Sequence, residues 1–388
     1  MKATITAGAL ASATGWISRA LPARPPVPIL GGIVVDATEH DVELAAFDYD
    51  LCARGRLGSG VVSVDEPERV VVPGRLLAAV SKALGFGEQA VTLAVENDTM
   101  VVTAGPRTRW TMPLLQASEY PALPDMAPVV GEIEPDALTA SIDRVLPATS
   151  RDETLQMLTG AAISASGTAL TMAATDRYRL AVCDTTWTPS VGELAEHLAP
   201  SALLKLAVTA AAGVTGQVSV RSDDGILGFS TAQRSMSGRL IGAEFPRWRA
   251  LDIGPDAPGF KHRATAVVRT AALREAAQRA AVSMDSSSIL VLTFTPDEIA
   301  VTASGEGVGD AAHHADVLHH EGDSVAVQIR DEYLRDALQA CGDQAVRLDV
   351  GRGRILVRPA GEDGQVHDSY RHTVMTVRFP GGDAVRDA

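Results

Sequence analysis

Cysteine is nearly missing from this chain. Cys52, Cys183 and Cys341 lie far apart with no C-x-x-C pair. That pattern suits free thiols in a reducing cytoplasm better than a disulfide framework. Long apolar runs are also missing, and no stretch approaches the roughly 18 uncharged apolar residues of a membrane span. The first 23 residues have the Lys2 and the small-residue end of a secretory leader. Thr and Ser fill their middle and Arg19 falls where the apolar region should run, so they read as an amphipathic helix. Positive charge is in deficit: 34 Lys and Arg stand against 48 Asp and Glu, a net charge of -14. That total argues against coating phosphates with clustered cations, although a basic surface can sit inside an acidic whole.

Motifs of catalysis are missing as well. The sequence holds no G-x-S-x-G, P-loop, H-E-x-x-H, or G-x-G-x-x-G opening a helix after a strand, and "GEGVG" at 305–309 is a weak signal in a strand-turn region. Asp48, Asp50 and Asp176 fall at equivalent strand ends of different repeats, so they do not converge on one acid/base site. An enzyme is therefore the first reading set aside, and no cofactor or metal is expected. Four histidines, His313, His314, His319 and His320, invite a metal reading. Neighbours on a strand point to opposite faces, so at most one of each pair could join a single site, and solvated strand histidines are the simpler account.

What the sequence does contain is a repeat. At 388 residues, 46% hydrophobic and 21% charged, it has ordinary globular composition and room for two or three domains. Segments starting near Gly8, at Pro135 and at Thr270 share one grammar of helix, turn, strand, turn, strand. Leu10, Ile17 and Leu21 fall on one face of the first helix; Leu138, Ile142, Val145 and Leu146 do so in the second unit. Each unit has a second half of the same kind, and Pro-rich connectors separate the units. The period is too long for a solenoid and predicts three α+β domains of about 125 residues with two helices apiece. Arg19, Arg75, Lys82, Arg144, Lys205, Arg269, Arg274, Arg279 and Arg335 fall in or beside the six helices. Collected over equivalent helices, they predict a basic surface within an acidic body.

Five segments carry a family resemblance: "LPARPPVPILGGIVVDA" at 21–37, "DETLQMLTG" at 152–160, "ATDRYRLAV" at 174–182, "GAEFPRW" at 242–248 and "VMTVRF" at 374–379. With the threefold repeat, they make the chain resemble the bacterial DNA sliding clamps, the beta subunits of the replicative DNA polymerase III. The Arg-aromatic-Arg variant at Arg177 and Arg179 is most similar to those of high-GC Gram-positive bacteria. The resemblance implies the DNA clamp fold, with domains at 1–125, 131–253 and 263–380 and a flexible tail at 381–388. Two chains would close head to tail into a six-domain ring, helices inside, that slides on duplex DNA without reading bases. It implies a non-catalytic processivity factor in the cytoplasm, on the nucleoid. The partners implied are the polymerase, an ATP-driven clamp loader, repair polymerases, and ligase or mismatch-repair proteins.

The resemblance also implies sites. A pocket for a short peptide of the Gln-x-x-Leu-Phe kind takes Leu158, Thr175, Arg177, Tyr178, Arg179, Leu180, Pro246 and Leu251 from the middle domain. Its other wall is Arg330, Tyr333, Thr373, Val374, Met375, Thr376, Val377 and Arg378. Arg24 matches a DNA-contacting position; Arg75, Lys82, Arg144, Arg151, Lys205, Arg274 and Arg279 join it by their placement in or near the helices. The ring seam takes Arg107, Arg109 and Trp110 on one side and Val282, Ser283, Glu306 and Asp310 on the other.

Departures from the family pattern cluster in the third domain. "IRDEYL" puts Arg330 and Asp331 beside the pocket tyrosine, and Thr373 and Thr376 replace an aliphatic residue and a proline. Charges and polarity there alter ligand choice more than fold. Histidines stand where the acidic side of the seam is expected, which predicts a ring held more by strand pairing than by charge and weaker at acidic pH. A divergent second clamp that escapes a pocket-binding inhibitor, or a non-replicative scaffold, remain alternatives to the housekeeping function.

Overall fold

The computed structural model describes the chain except for Ser59, Val191, 251–253, 256–258, 285–287, 306–308, Asp343 and Asp368. Among the described residues there are six α-helices, each of eleven residues: α1 (Ala7–Ile17), α2 (Gly74–Leu84), α3 (Pro135–Val145), α4 (Ser201–Ala211), α5 (Thr270–Ala280) and α6 (Asp331–Cys341). Their equal length reflects the repeat. The apolar stripes do what their spacing requires: Leu10 and Ile17 of α1, Leu138, Ile142 and Val145 of α3, and Leu273 of α5 are all fully buried. Each such side chain contributes about 1.5–3 kcal/mol of burial. Both α2 and α6 stop at a glycine with positive φ, Gly85 at 84° and Gly342 at 83°. A Cβ is strained in that conformation, which is why glycine ends these helices.

The first residues differ from the expected opening helix. Lys2–Thr6 is a strand, and Thr6 then caps α1 by accepting from the Ala9 N–H. Its Ala3 and Ile5 are buried between exposed or half-buried neighbours, so a period of two replaces the helical period there.

The chain forms two compact units, Met1–Thr139 with Trp187–Gly242, and Ala140–Thr186 with Ala243–Ala388. In the first, five strands lie in the order Val62–Glu66, Lys2–Thr6, Ala90–Glu96, Thr99–Ala104, Thr108–Pro113. Its larger sheet joins Arg234–Arg239 to Leu51–Leu57, with Met236 opposite Ala53. Helices α1 and α2 pack on each other, and α1 covers Val42–Phe47 and Leu51–Leu57. In the second unit, Gly160–Ser166, Ala169–Thr175 and Arg179–Thr186 continue into Tyr370–Met375, Arg354–Ala360, Ala345–Gly351 and Ala264–Arg269. The order runs on through Gly309–Gly322, Glu298–Gly305, Ile289–Phe294 and Val325–Arg330. Sheet continuity thus ties each half of the middle repeat to a different neighbour, so the compact units cut across the repeat.

The tail also differs from expectation. Val385–Asp387 pairs antiparallel with Val325–Arg330, placing Val385 opposite Val327 and Asp387 opposite Val325. Arg263 grips Asp387 at 2.6 Å and the Ala388 N–H donates to the Ser324 carbonyl at 3.0 Å. A segment polar enough to read as disordered instead adds a strand to the sheet.

Candidate functional site

The turn between Ala169–Thr175 and Arg179–Thr186 is built by side-chain acceptors. Asp176 Oδ1 accepts the N–H of Tyr178 and of Arg179, each at 3.0 Å. Thr175 Oγ1 accepts from the Arg177 N–H at 3.2 Å and donates to the Arg179 carbonyl at 2.6 Å. Arg177 sits at φ 81°, a left-handed conformation unusual for a residue with a Cβ. The turn leaves Tyr178 half exposed, at 53%, and Arg177 beside it with its guanidinium 5.8 Å from the ring centroid.

Arg179 goes the other way and is 5% exposed. Its Nε donates to Asp176 at 2.9 Å, its Nη1 to Asp336 at 2.6 Å and its Nη2 to the Pro147 carbonyl. Its guanidinium stacks 4.4 Å from the centroid of the Tyr333 ring. Two carboxylates, a carbonyl and a π face satisfy the buried cation. Sequence reasoning missed Asp336; the signal was that a buried arginine next to an aromatic requires a carboxylate from elsewhere.

Strand pairing brings in the opposite wall. Arg179 lies opposite Val374 and Leu180 opposite Thr373, and the Met375 N–H donates to the Tyr178 carbonyl at 2.8 Å. Leu158, Thr175, Leu180, Thr373 and Val374 are buried, Pro246, Tyr333, Thr376 and Val377 are half-buried, and Met375, Arg330 and Arg378 are exposed. Leu251 lies outside the described residues. The Thr373 hydroxyl is buried and has no partner among the described residues. Asp331 is not a rim charge: it is 4% exposed and accepts from Arg335 at 2.8 Å. Burial pushes its carboxyl up, against the pull of Arg335.

Two cavities open here. One of about 210 Å³ is lined by Thr149, Ser150, Arg151, Asp176, Arg177, Tyr178, Arg179, Glu332 and Tyr333. Another of about 710 Å³ takes in Met375, Thr376 and Arg378 with Lys261, Arg263, Arg352 and part of the tail. Sequence reasoning did not single out Thr149, Ser150, Lys261 or Arg352. Within the strand that carries Thr373, Tyr370 Oη bonds His372 Nδ1 at 2.8 Å. Burial, with the Arg179 cation adding to it, holds the His372 imidazole down to about 3, so it is neutral at physiological pH.

The candidate cations divide. In the first unit Arg24, Arg75, Lys82 and Lys205 are exposed, and Arg75 Nη2 reaches the Pro22 and Ala23 carbonyls at 3.1 Å, bracing the turn that carries Arg24. In the second, Arg151 is 90% exposed at its side chain and paired with Glu332 at 2.8 Å. Arg279 pairs with Glu275, and Arg274 is half-buried, 3.4 Å from Gln339. Arg144 is turned inward, unlike the solvent-facing cation expected from its helix. Its Nη1 is 3.9 Å from Cys183 Sγ and its guanidinium 5.8 Å from the Tyr370 ring. The Tyr370 hydroxyl also donates to the Arg144 carbonyl at 3.4 Å.

Among the described residues, two of the open sheet edges carry the residues expected at the seam. Thr108–Pro113 ends the five-stranded sheet, with Arg107 and Arg109 exposed, Trp110 half-buried, and Arg109 held by Glu96 at 2.9 Å. Along Gly309–Gly322, the half up to Asp316 pairs, among the described residues, only with Glu298–Gly305. Asp310 is exposed there, Val282 nearby is 79% exposed, Ser283 is half-buried, and Glu306 lies outside the described residues. Among the described residues, no three His, Cys, Asp or Glu side chains converge on a metal position; His314 pairs with Glu298 at 2.8 Å.

Comparison with known proteins shows the family. Residues 1–124, 132–247 and 260–375 match the N-terminal, central and C-terminal domains of the DNA polymerase III beta subunit. The beta sliding clamp of Streptomyces coelicolor is 30% identical, with 98% of this chain and 100% of that protein covered. That of Micrococcus luteus is 31% identical over 80% of this chain and 96% of its own. "Beta sliding clamp homolog GriR" of Streptomyces muensis is 29% identical, covering 95% and 97%. The Bacillus subtilis sliding clamp crystal structure superposes with a TM-score of 0.88 at 20% identity, covering 98% of this chain and 100% of that one. A Pseudomonas aeruginosa clamp bound to griselimycin superposes at 0.86 and 22% identity with the same coverage.

Proposed function

The chain belongs to the bacterial DNA sliding clamps, the beta-subunit family of DNA polymerase III, and we propose that it acts as a homodimeric ring on duplex DNA. Its domains follow the repeat at 1–125, 131–253 and 263–380. The observation that carries the reading is the pair of open strand edges, Thr108–Pro113 and the first half of Gly309–Gly322. Joining one copy's first edge to the other copy's second satisfies both backbone ladders at two equivalent seams and closes the assembly. Arg107, Arg109 and Trp110 meet Val282, Ser283 and Asp310 across each seam.

Inside the ring, Arg24, Arg75, Lys82, Lys205, Arg151, Arg274 and Arg279 offset phosphate charge without reading bases, which permits sliding. The groove around Tyr178, Leu180 and Met375 takes the leucine and aromatic anchors of a Gln-x-x-Leu-Phe peptide, whose burial supplies most of the affinity. Polymerase, clamp loader, and repair proteins including ligase and mismatch-repair factors share this groove in the cytoplasm. The chain carries out no chemistry itself and holds no cofactor; DNA synthesis belongs to the polymerase it tethers. The test is retention on DNA after loading: the protein stays on a closed circle and runs off when the circle is linearised. Equal loss from both overturns the ring.

A second reading is favoured by the unpartnered Thr373 hydroxyl and by the polar Thr376 in the groove wall. In it the chain is a divergent clamp whose groove excludes an inhibitor while still admitting the polymerase. Griselimycin, the ligand of the Pseudomonas clamp above, is the probe: micromolar or weaker binding beside tight motif-peptide binding selects this reading, and tight binding of both rejects it.

A further inference from the structure

The cavity of about 710 Å³ is unusual in its charge. In this acid-rich chain, Arg179, Arg263, Arg269, Arg335, Arg347 and Arg371 of the same compact unit each hold a carboxylate. Lys261, Arg352 and Arg378 are exposed and hold none among the described residues, and all three line this one cavity. Asp383 is the one carboxylate in the lining, so three cations without an ion-pair partner outnumber it and leave a local positive potential inside a molecule of net charge -14.

The tail fixes the shape of the cavity. The Phe379 N–H closes a return turn by donating to the Asp383 carbonyl at 2.7 Å, and Thr376 Oγ1 lies 3.5 Å from the Ala384 carbonyl. Val385–Asp387 then runs along Val325–Arg330, so residues 382–385 wall the cleft on one side. Arg386 covers the Phe379 ring at 4.4 Å. At the other end the cleft includes Met375 and Thr376, the strand end that pairs with Tyr178. The cleft therefore continues the candidate peptide groove along its own wall.

We propose that the cleft formed by Lys261, Arg352, Arg378 and the seated tail binds an acidic segment flanking the partner's apolar motif, selecting acid-flanked partners. The inference rests on the peptide-groove reading above. Continuity with Met375 and the strand-lined wall favour an extended peptide over nucleic acid, because a chain leaving the groove enters the cleft directly. Charge at such a rim sets choice between partners more than total affinity.

The test compares three fluorescent peptides on the full chain: a Gln-x-x-Leu-Phe peptide and the same peptide with a short glutamate run at one end or the other. One acidic peptide binds about fivefold more tightly at low salt, an advantage lost at high salt. Lys261→Asn with Arg352→Ser removes that advantage and leaves the plain peptide's affinity unchanged; Asn suits the left-handed backbone of Lys261, at φ 50°. Equal binding of all three peptides, or an advantage that survives the double variant, overturns the proposal. Cation-dependent binding of an acidic peptide without binding of the plain one leaves the cleft standing and removes the groove reading. Absence of all binding removes both. Stronger displacement by a short oligothymidylate than by unlabelled acidic peptide marks a nucleic-acid site and also overturns the proposal.

Discussion

Arg179 lies 4.4 Å from the centroid of the Tyr333 ring, and one turn along α6 from Tyr333 the carboxylate of Asp336 takes its Nη1 proton at 2.6 Å. Arg179 is thus a strut that joins the Asp176 turn to α6. Removing it leaves Asp176 and Asp336 facing each other across a part-buried gap. Arg179→Ala is expected to cost about 3–5 kcal/mol of stability, the range for breaking a buried ion pair. Peptide affinity falls with it. Tyr178→Ala, at an exposed position, leaves stability within about 0.5 kcal/mol and still weakens the peptide. Thermal unfolding beside peptide titration separates the two, and an Arg179→Ala protein of unchanged Tm would show a ligand contact rather than a strut.

His372 makes stability depend on acidity. In the unfolded chain its imidazole titrates at its ordinary value near 6.5, and in the folded chain it is held down to about 3. Between these values the unfolded state binds a proton that the folded state refuses, so stability is full above about 6.5 and falls as pH drops towards 3. The contribution is about 1.4 kcal/mol per pH unit, or about 3 kcal/mol by pH 4.5. Urea titrations across this window should show the slope in the native chain and a flatter one in His372→Gln.

Thr373 buries a hydroxyl with no partner among the described residues. Valine has nearly the same shape and no polar atom to desolvate, so Thr373→Val is expected to stabilise the chain by about 1 kcal/mol. The urea midpoint should rise with no change in m-value. A fall in midpoint would mean that the hydroxyl is satisfied in solution.

Charge reversal tests the seam. Arg109 is already engaged by Glu96, so Arg107 carries more of the uncompensated charge at that edge. Arg107→Glu with Arg109→Glu is expected to raise the dimer dissociation constant at least about tenfold at low salt and less at high salt. Equilibrium sedimentation reads this directly. Repeating it on the unaltered chain at pH 8 and pH 6 tests whether the histidines between 313 and 320 loosen the ring on protonation, and equal constants would sink that idea.

The sequence by itself determined the six helices, their near-regular recurrence and the composition of the 174–182 turn. Those features depend on neighbours: Leu138, Ile142 and Val145 share a face wherever the helix is placed. The opening strand was less legible, since five residues of alternating pattern compete with a helical period that starts just after them. Only the tertiary structure decided that Arg179 is buried by Asp336, that Arg144 turns towards Tyr370 and that the tail is a strand. Asp336 lies 157 residues from Arg179, and Val385–Asp387 forms hydrogen bonds only because Val325–Arg330 offers an open edge. A partner that far along the chain is chosen by how the sheets close, and no local periodicity records that choice.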